Sequence, residues 1–176
     1  MNLGLFILRV VVGGLFIGHG TQKLFGWFEG NGLEGTGGWF HSIGYRPGRR
    51  MAAVAGAAEA TGGALLVLGL LTPLGAAAII GVMLNAMVAV HAPNGLWNDK
   101  GGMEFPIVMS VAAAALAFTG PGSFSVDNAI GLSLDGFGWG LIAIAIGIIA
   151  GVTVSGMRKE EEVEAERAEE QGRRAA

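Results

Sequence analysis

The chain has 176 residues, of which 52% are hydrophobic and 14% charged, against about 25% charged in an ordinary soluble domain, and that deficit excludes a water-solvated surface. It contains no cysteine, so it forms no disulfide within itself, holds no thiolate-bound iron–sulfur cluster and runs no thiol exchange. The net charge of −3 arises partly in the segment after Met157, where seven Glu oppose five Lys or Arg, and the near balance elsewhere makes nucleic acid an unsuitable partner.

Five apolar segments approach the roughly 20 residues needed to cross a hydrocarbon core of about 30 Å. The first runs from Leu3 to about Phe25 and turns polar from His19 onward. Its start, Met1-Asn2-Leu3, carries no positive charge, so it reads as a retained span and not as a cleaved leader. The long segment that follows scatters Trp27, Phe28, Trp39, Phe40 and Tyr45 among glycines. Amphipathic rings favour the headgroup layer, and residues 36–43 are expected to form a short interfacial helix, with Arg46, Arg49 and Arg50 as a lipid-facing basic cluster. The second span is Met51 to Leu71 and the third Leu74 to Val90; Thr72-Pro73 between them leaves room only for a tight antiparallel turn. The fourth, Phe105 to Thr119, is short, and the fifth, Gly138 to Met157, contains no charge before its end. Beyond it the tail spaces Glu169 from Arg173 and Glu170 from Arg174 at helical intervals.

The fold class expected is therefore an all-α integral membrane protein, a bundle of four core transmembrane helices plus a fifth C-terminal span. In the five-span topology ten of the eleven basic residues fall on one side and none on the other, the eleventh being Arg9 inside the first span. The positive-inside rule then puts the amino terminus outside and the tail in the cytoplasm. Residues 1–125 form the four-helix bundle with a cytoplasmic interfacial loop over 20–50, residues 126–137 an extracytoplasmic loop, 138–157 the fifth span and 158–176 the charged tail.

Charged groups inside the bilayer cost at least about 2.5 to 3.5 kcal/mol on insertion scales and are functional candidates by default. Arg9 and Glu59 are the two, and a rise of about 1.5 Å per residue leaves an axial gap of about 9 Å between them, which a long side chain and modest tilt would close. The pair reads either as an ion pair locking two helices or as a proton or ligand site. Ala55, Gly56, Gly62 and Gly63 surround Glu59 on its helix face, so it should face protein. Asn85 lies in a stripe with Ala77, Gly81 and Ala89 and is expected to hydrogen-bond across helices, completing a polar network of Arg9, Glu59 and Asn85.

His19, His91 and Glu104 fall near the cytoplasmic ends of their spans. Converging there, they would suit a metal or a quinone carbonyl; separately, they are interfacial polar groups, with Glu104 favoured by the dipole at a helix start. No metal is assigned to them. The Gly14/Gly18 and Gly147/Gly151 spacings point to helix contacts within the bundle first and to a homo-oligomer second.

Four stretches, LRVVVGGLFIGHGTQKLFG, GTGGWFHSIGYRP, EATGGALLVLGLLTP and HAPNGLWNDKGGMEF, make the chain resemble the DoxX family of small membrane proteins over roughly residues 3–125. The family typically has four spans, so the segment 138–157 is an addition to its pattern. The resemblance implies an accessory or quinone-associated subunit of a membrane redox assembly, with redox-enzyme subunits as partners. It carries over Arg9, His19, Lys23, Glu59, His91 and Glu104 as matching positions. A small proton-coupled transporter or permease, or a purely structural scaffold, are the other readings of the same residues.

Overall fold

The computed structural model of the chain describes residues 2–159, 168–169 and 171–173. It is helical, with no named strand among the described residues and a single isolated bridge between Tyr45 and Arg158. Between residues 2 and 159 the α-helices are, in order, α1 (Asn2–Phe25), α2 (Gly32–Ser42), α3 (Gly48–Leu68), α4 (Thr72–Ala86), α5 (Glu104–Thr119), α6 (Val126–Ala129) and α7 (Phe137–Ser155). Between α4 and α5 the chain widens into a π-turn, Met87–His91, followed by two short 3-10 turns.

Four of these elements, Asn2–Phe25, Gly48–Leu68, Thr72–Asn94 and Phe137–Ser155, are long and apolar enough to cross a membrane, while α5 is apolar but has only 16 residues. Large apolar side chains such as Ile7, Val11, Leu15, Val111 and Ile149 face outward. So much exposed apolar surface suits lipid and would not persist in water. The chain is an all-α membrane protein of several spans, and α7 extends the apolar set to five helices.

Contacts between loops fix the direction of these helices. At one end of the bundle Asn2 Oδ1 accepts from Ser123 N–H after α5, Asp127 N–H donates to the Gly69 carbonyl after α3, and Gly136 N–H before α7 donates to Phe118 O. At the other end Lys159 N–H donates to Gly44 O, and Arg158 Nε donates to Ile43 O. The four long apolar helices and α5 therefore alternate in direction along the chain, and Asn2 and Lys159 lie at opposite ends.

Glycine sets the spacing of the helices. A Cβ on Gly13 would lie 2.5 Å from Gly63 O, and one on Gly20 would lie 2.6 Å from Gly56 O, so α1 and α3 approach backbone to backbone. Gly147 and Gly151 likewise meet Ala77 O, Ile80, Gly81 O and Leu84 of α4. The first-span glycines behave differently: nothing lies within 4 Å of the Cβ positions of Gly14 and Gly18, so they make no contact inside this bundle. Val12, Phe16, Leu66, Ile79 and Leu116 fill the core between α1, α3, α4 and α5.

The turn between α3 and α4 follows from local rules. Gly69 adopts φ +61° and closes a Schellman motif, with Leu70 N–H donating to Leu65 O and Gly69 N–H to Leu66 O. Pro73 then sits in the first turn of α4, where its missing N–H costs nothing. A short helix is present where one was expected at 36–43; it runs from Gly32 to Ser42 and packs through Phe40 on Ala52 of α3.

Candidate functional site

At the Lys159 end the elements enclose a cavity of ≈ 350 Å³. His19 and Lys23, one turn apart, enter it from α1, Glu59 from α3, Asn85 from α4 and His91 from the π-turn; Trp39, Phe40 and Tyr45 close it from α2 and the loop after it, and Phe105 from α5. Trp39 and Phe105 are both substantially exposed, so the cavity reaches the bundle surface. Its lining combines polar groups with aromatic rings.

Lys23 Nζ lies 2.6 Å from Glu59 Oε2, with the Glu59 side chain 4% exposed and that of Lys23 23%. His19 lines the same cavity one turn before Lys23. Asn85 Nδ2 donates to the Tyr45 hydroxyl at 2.6 Å and to Ser155 Oγ at 3.1 Å, tying α4 to α7 and to the loop after α2. The buried Tyr45 ring stacks obliquely on Phe40, with centroids 5.5 Å apart, and carries the Arg158 guanidinium over its face.

His91 Nδ1 is 2.7 Å from Gly101 O. A carbonyl only accepts, so Nδ1 carries the proton in this contact, and in the neutral ring Nε2 is left with a lone pair. The π-turn that brings His91 here belongs to a class of irregularity concentrated at functional sites.

These contacts correct the expected network of Arg9, Glu59 and Asn85. Glu59 is paired with Lys23, Asn85 with Tyr45 and Ser155, and Arg9 with groups at the opposite end of the bundle. There the fully buried Arg9 donates through Nη1 to Leu66 O at 3.0 Å and Val67 O at 3.2 Å, and through Nη2 to Phe124 O. The Asp127 carboxylate attracts it. Asp127, also fully buried, accepts from Leu71 N–H at 2.9 Å and from Thr72 N–H and Oγ1 at 3.3 Å, capping α4.

The expected trio of His19, His91 and Glu104 also divides. The two histidines line the cavity, whereas the Glu104 carboxylate accepts from Asn98 N–H at 3.0 Å and only its neighbours Phe105 and Pro106 reach the cavity wall. Glu104 is a helix-start acceptor. Among the described residues no three His, Asp or Glu side chains are grouped to hold a metal. In the basic cluster, Arg49 pairs with Glu34 of α2 at 2.7 Å with both side chains largely exposed, Arg50 is exposed and Arg46 half-buried. An exposed pair of this kind contributes about 0 to 1 kcal/mol. In the tail, the Glu169–Arg173 pair forms at 3.7 Å, and Glu170–Arg174 lies outside the described residues.

Among the residues that the structure brings to these sites, Lys23 enters the sequence reading only as a family-matching position and a base of the first loop, Tyr45 only as an interfacial ring, and Asp127 not at all. The signal that places Lys23 was present in the glycines: pairing Gly13 with Gly63 and Gly20 with Gly56 sets an antiparallel register in which Arg9 falls beside Val67, and Lys23 is left as the α1 cation nearest Glu59. Nothing in the spacing of Asp127 marked it as a cap for a helix more than fifty residues earlier.

A family model described as DoxX matches residues 4–92, which includes α1 to α4 and the π-turn and hence every polar residue of the cavity named above. No curated protein and no solved structure matches the chain significantly.

Proposed function

Since the chain belongs to the DoxX family, we propose that it serves as an accessory membrane subunit of a redox assembly and binds a quinone in the cavity at the Lys159 end. The observation that carries this reading is the Lys23–Glu59 pair lining one cavity of ≈ 350 Å³ together with the rings of Trp39, Phe40 and Phe105. Ligand sites of this size are mostly apolar with a few convergent polar groups. Lys23 supplies a donor for a carbonyl oxygen, and His91 Nε2 supplies an acceptor for a hydroxyl on the reduced ring. A bound quinone brings the two-electron carrier that a chain without cysteine lacks. Positive-inside counting orients the bundle with Asn2 outside and the cavity near the cytoplasmic face of a bacterial plasma membrane, where oxidoreductase subunits are the partners.

The test is titration of the purified protein in lipid nanodiscs with a ring-headed quinone analogue, read by quenching of tryptophan fluorescence. Saturable quenching that weakens about tenfold in Lys23→Ala, equivalent to about 1.4 kcal/mol, is the expected result. Quenching that rises linearly and is identical in the variant refutes the site.

A second reading, a proton-coupled permease, draws on the same part-buried Lys23–Glu59 pair, because ionisable groups inside membrane helices mark proton and ion paths. Proton-driven uptake by liposomes containing the protein alone would decide in its favour.

A further inference from the structure

A second cavity, of ≈ 160 Å³, lies between α3, α4 and α7 and shares Phe40, Ala55, Val82 and Asn85 with the first. We propose that this cavity is an annex for the alkyl or prenyl tail of the ring-headed ligand whose head occupies the main cavity. The inference rests on the quinone-site reading and specifies the ligand as a lipid with a long apolar tail.

Three observations support it. The annex is walled by Met51, Val54 and Ala58 of α3, Ala78 of α4, and Ala150 and Val154 of α7. Asn85 is its one amide, stands at the junction, and has its Nδ2 already donating to Tyr45 and Ser155. A water needs two to four polar partners, which these walls do not offer; an alkyl chain needs none.

The annex also points the right way for an amphiphile. On α4 it reaches Ala78, four residues or about 6 Å farther from the Lys159 end than Val82 of the main cavity, while on α3 its wall from Met51 to Ala58 lies level with Ala55 and Glu59. A molecule with its ring among Lys23, Glu59 and His91 would thus lay its tail along the hydrocarbon core. The small side chains of Ala58 and Ala78 leave the space that the tail fills.

The experiment compares a tail-less quinone ring with the same ring bearing a decyl chain, in nanodiscs, with affinities expressed per mole fraction in the membrane so that partitioning cancels. The decyl compound is expected to bind at least tenfold more tightly to the native chain, and Ala58→Phe is expected to bring the two within about twofold while leaving the tail-less ring unchanged. Equal affinities in the native chain, or an advantage that survives Ala58→Phe, overturn the annex and leave the ring site standing. If neither ring binds, the ring site itself fails and the annex with it.

A second measurement needs no variant. A ring-headed probe with a diazirine at the end of its tail is expected to label residues 51–58 and 150–154, with loss of label when unlabelled decyl compound competes. Equal labelling of these segments by a diazirine phospholipid, without competition from the ring compound, would show an ordinary lipid chain as the occupant and overturn the proposal.

Discussion

Lys23 and Glu59, 36 residues apart in sequence, meet at 2.6 Å across α1 and α3, and the carboxylate side of the pair is the more deeply buried. Breaking one side of a buried pair leaves an uncompensated charge and costs about 3 to 5 kcal/mol, whereas removing both costs far less. Glu59→Gln is therefore expected to lower thermal stability in detergent more than the double change with Lys23→Met. The coupling in that cycle should be about 1 to 3 kcal/mol. The corresponding cycle of Glu59→Gln with Arg9→Gln should be additive within about 0.5 kcal/mol, because Arg9 bonds at the other end of the bundle. Additive losses in the first cycle would contradict the pairing.

Asp127→Ala removes the cap on α4 and strips Arg9 of its carboxylate neighbour in one step. A cap contributes about 0.5 to 2 kcal/mol, and a loss in that range is expected in a melt followed by circular dichroism. Asp127→Asn keeps an acceptor for the α4 amides and should lose less. Equal losses for the two variants would leave the charge with no role.

Gly69 is held at φ +61°, and a Cβ there would collide with Arg9 Nη1. Gly69→Ala is expected to cost more than the roughly 1 to 2 kcal/mol of the left-handed backbone alone. Gly14→Ala, where the Cβ position is open, should be neutral or gain up to about 1 kcal/mol. Comparing the two melting temperatures separates backbone freedom from packing.

For the proposed orientation, with five spans and ten bases on the tail side, alkaline phosphatase fused after Ala176 is expected to be inactive and a green fluorescent reporter at the same point bright. Active phosphatase would reverse the topology or remove a span from it.

The apolar segments were legible because length and charge density decide what lipid will accept, and each predicted span lies on a helix of the structure. The small faces around Glu59 correctly announced a protein-facing carboxylate, 3% exposed. Its partner was misassigned because depth was counted from separate helix ends; α1 and α3 are registered instead by where Gly13 and Gly20 meet Gly63 and Gly56. His91 was legible as a residue and not as a site, since its place depends on the π-turn, which no hydrophobic period encodes. Glu104 was read correctly as a helix-start group when its local sequence was considered alone.

The last span ends where the first loop folds back. Lys159 donates to Gly44, Arg158 to Ile43, and Tyr45 between them holds Asn85 at the cavity wall. The exit of α7 and the roof of the cavity are thus one mechanical unit. A substitution that breaks the Lys159–Gly44 or Arg158–Ile43 bond is therefore expected to loosen Tyr45 and, through it, the Asn85 side of the cavity.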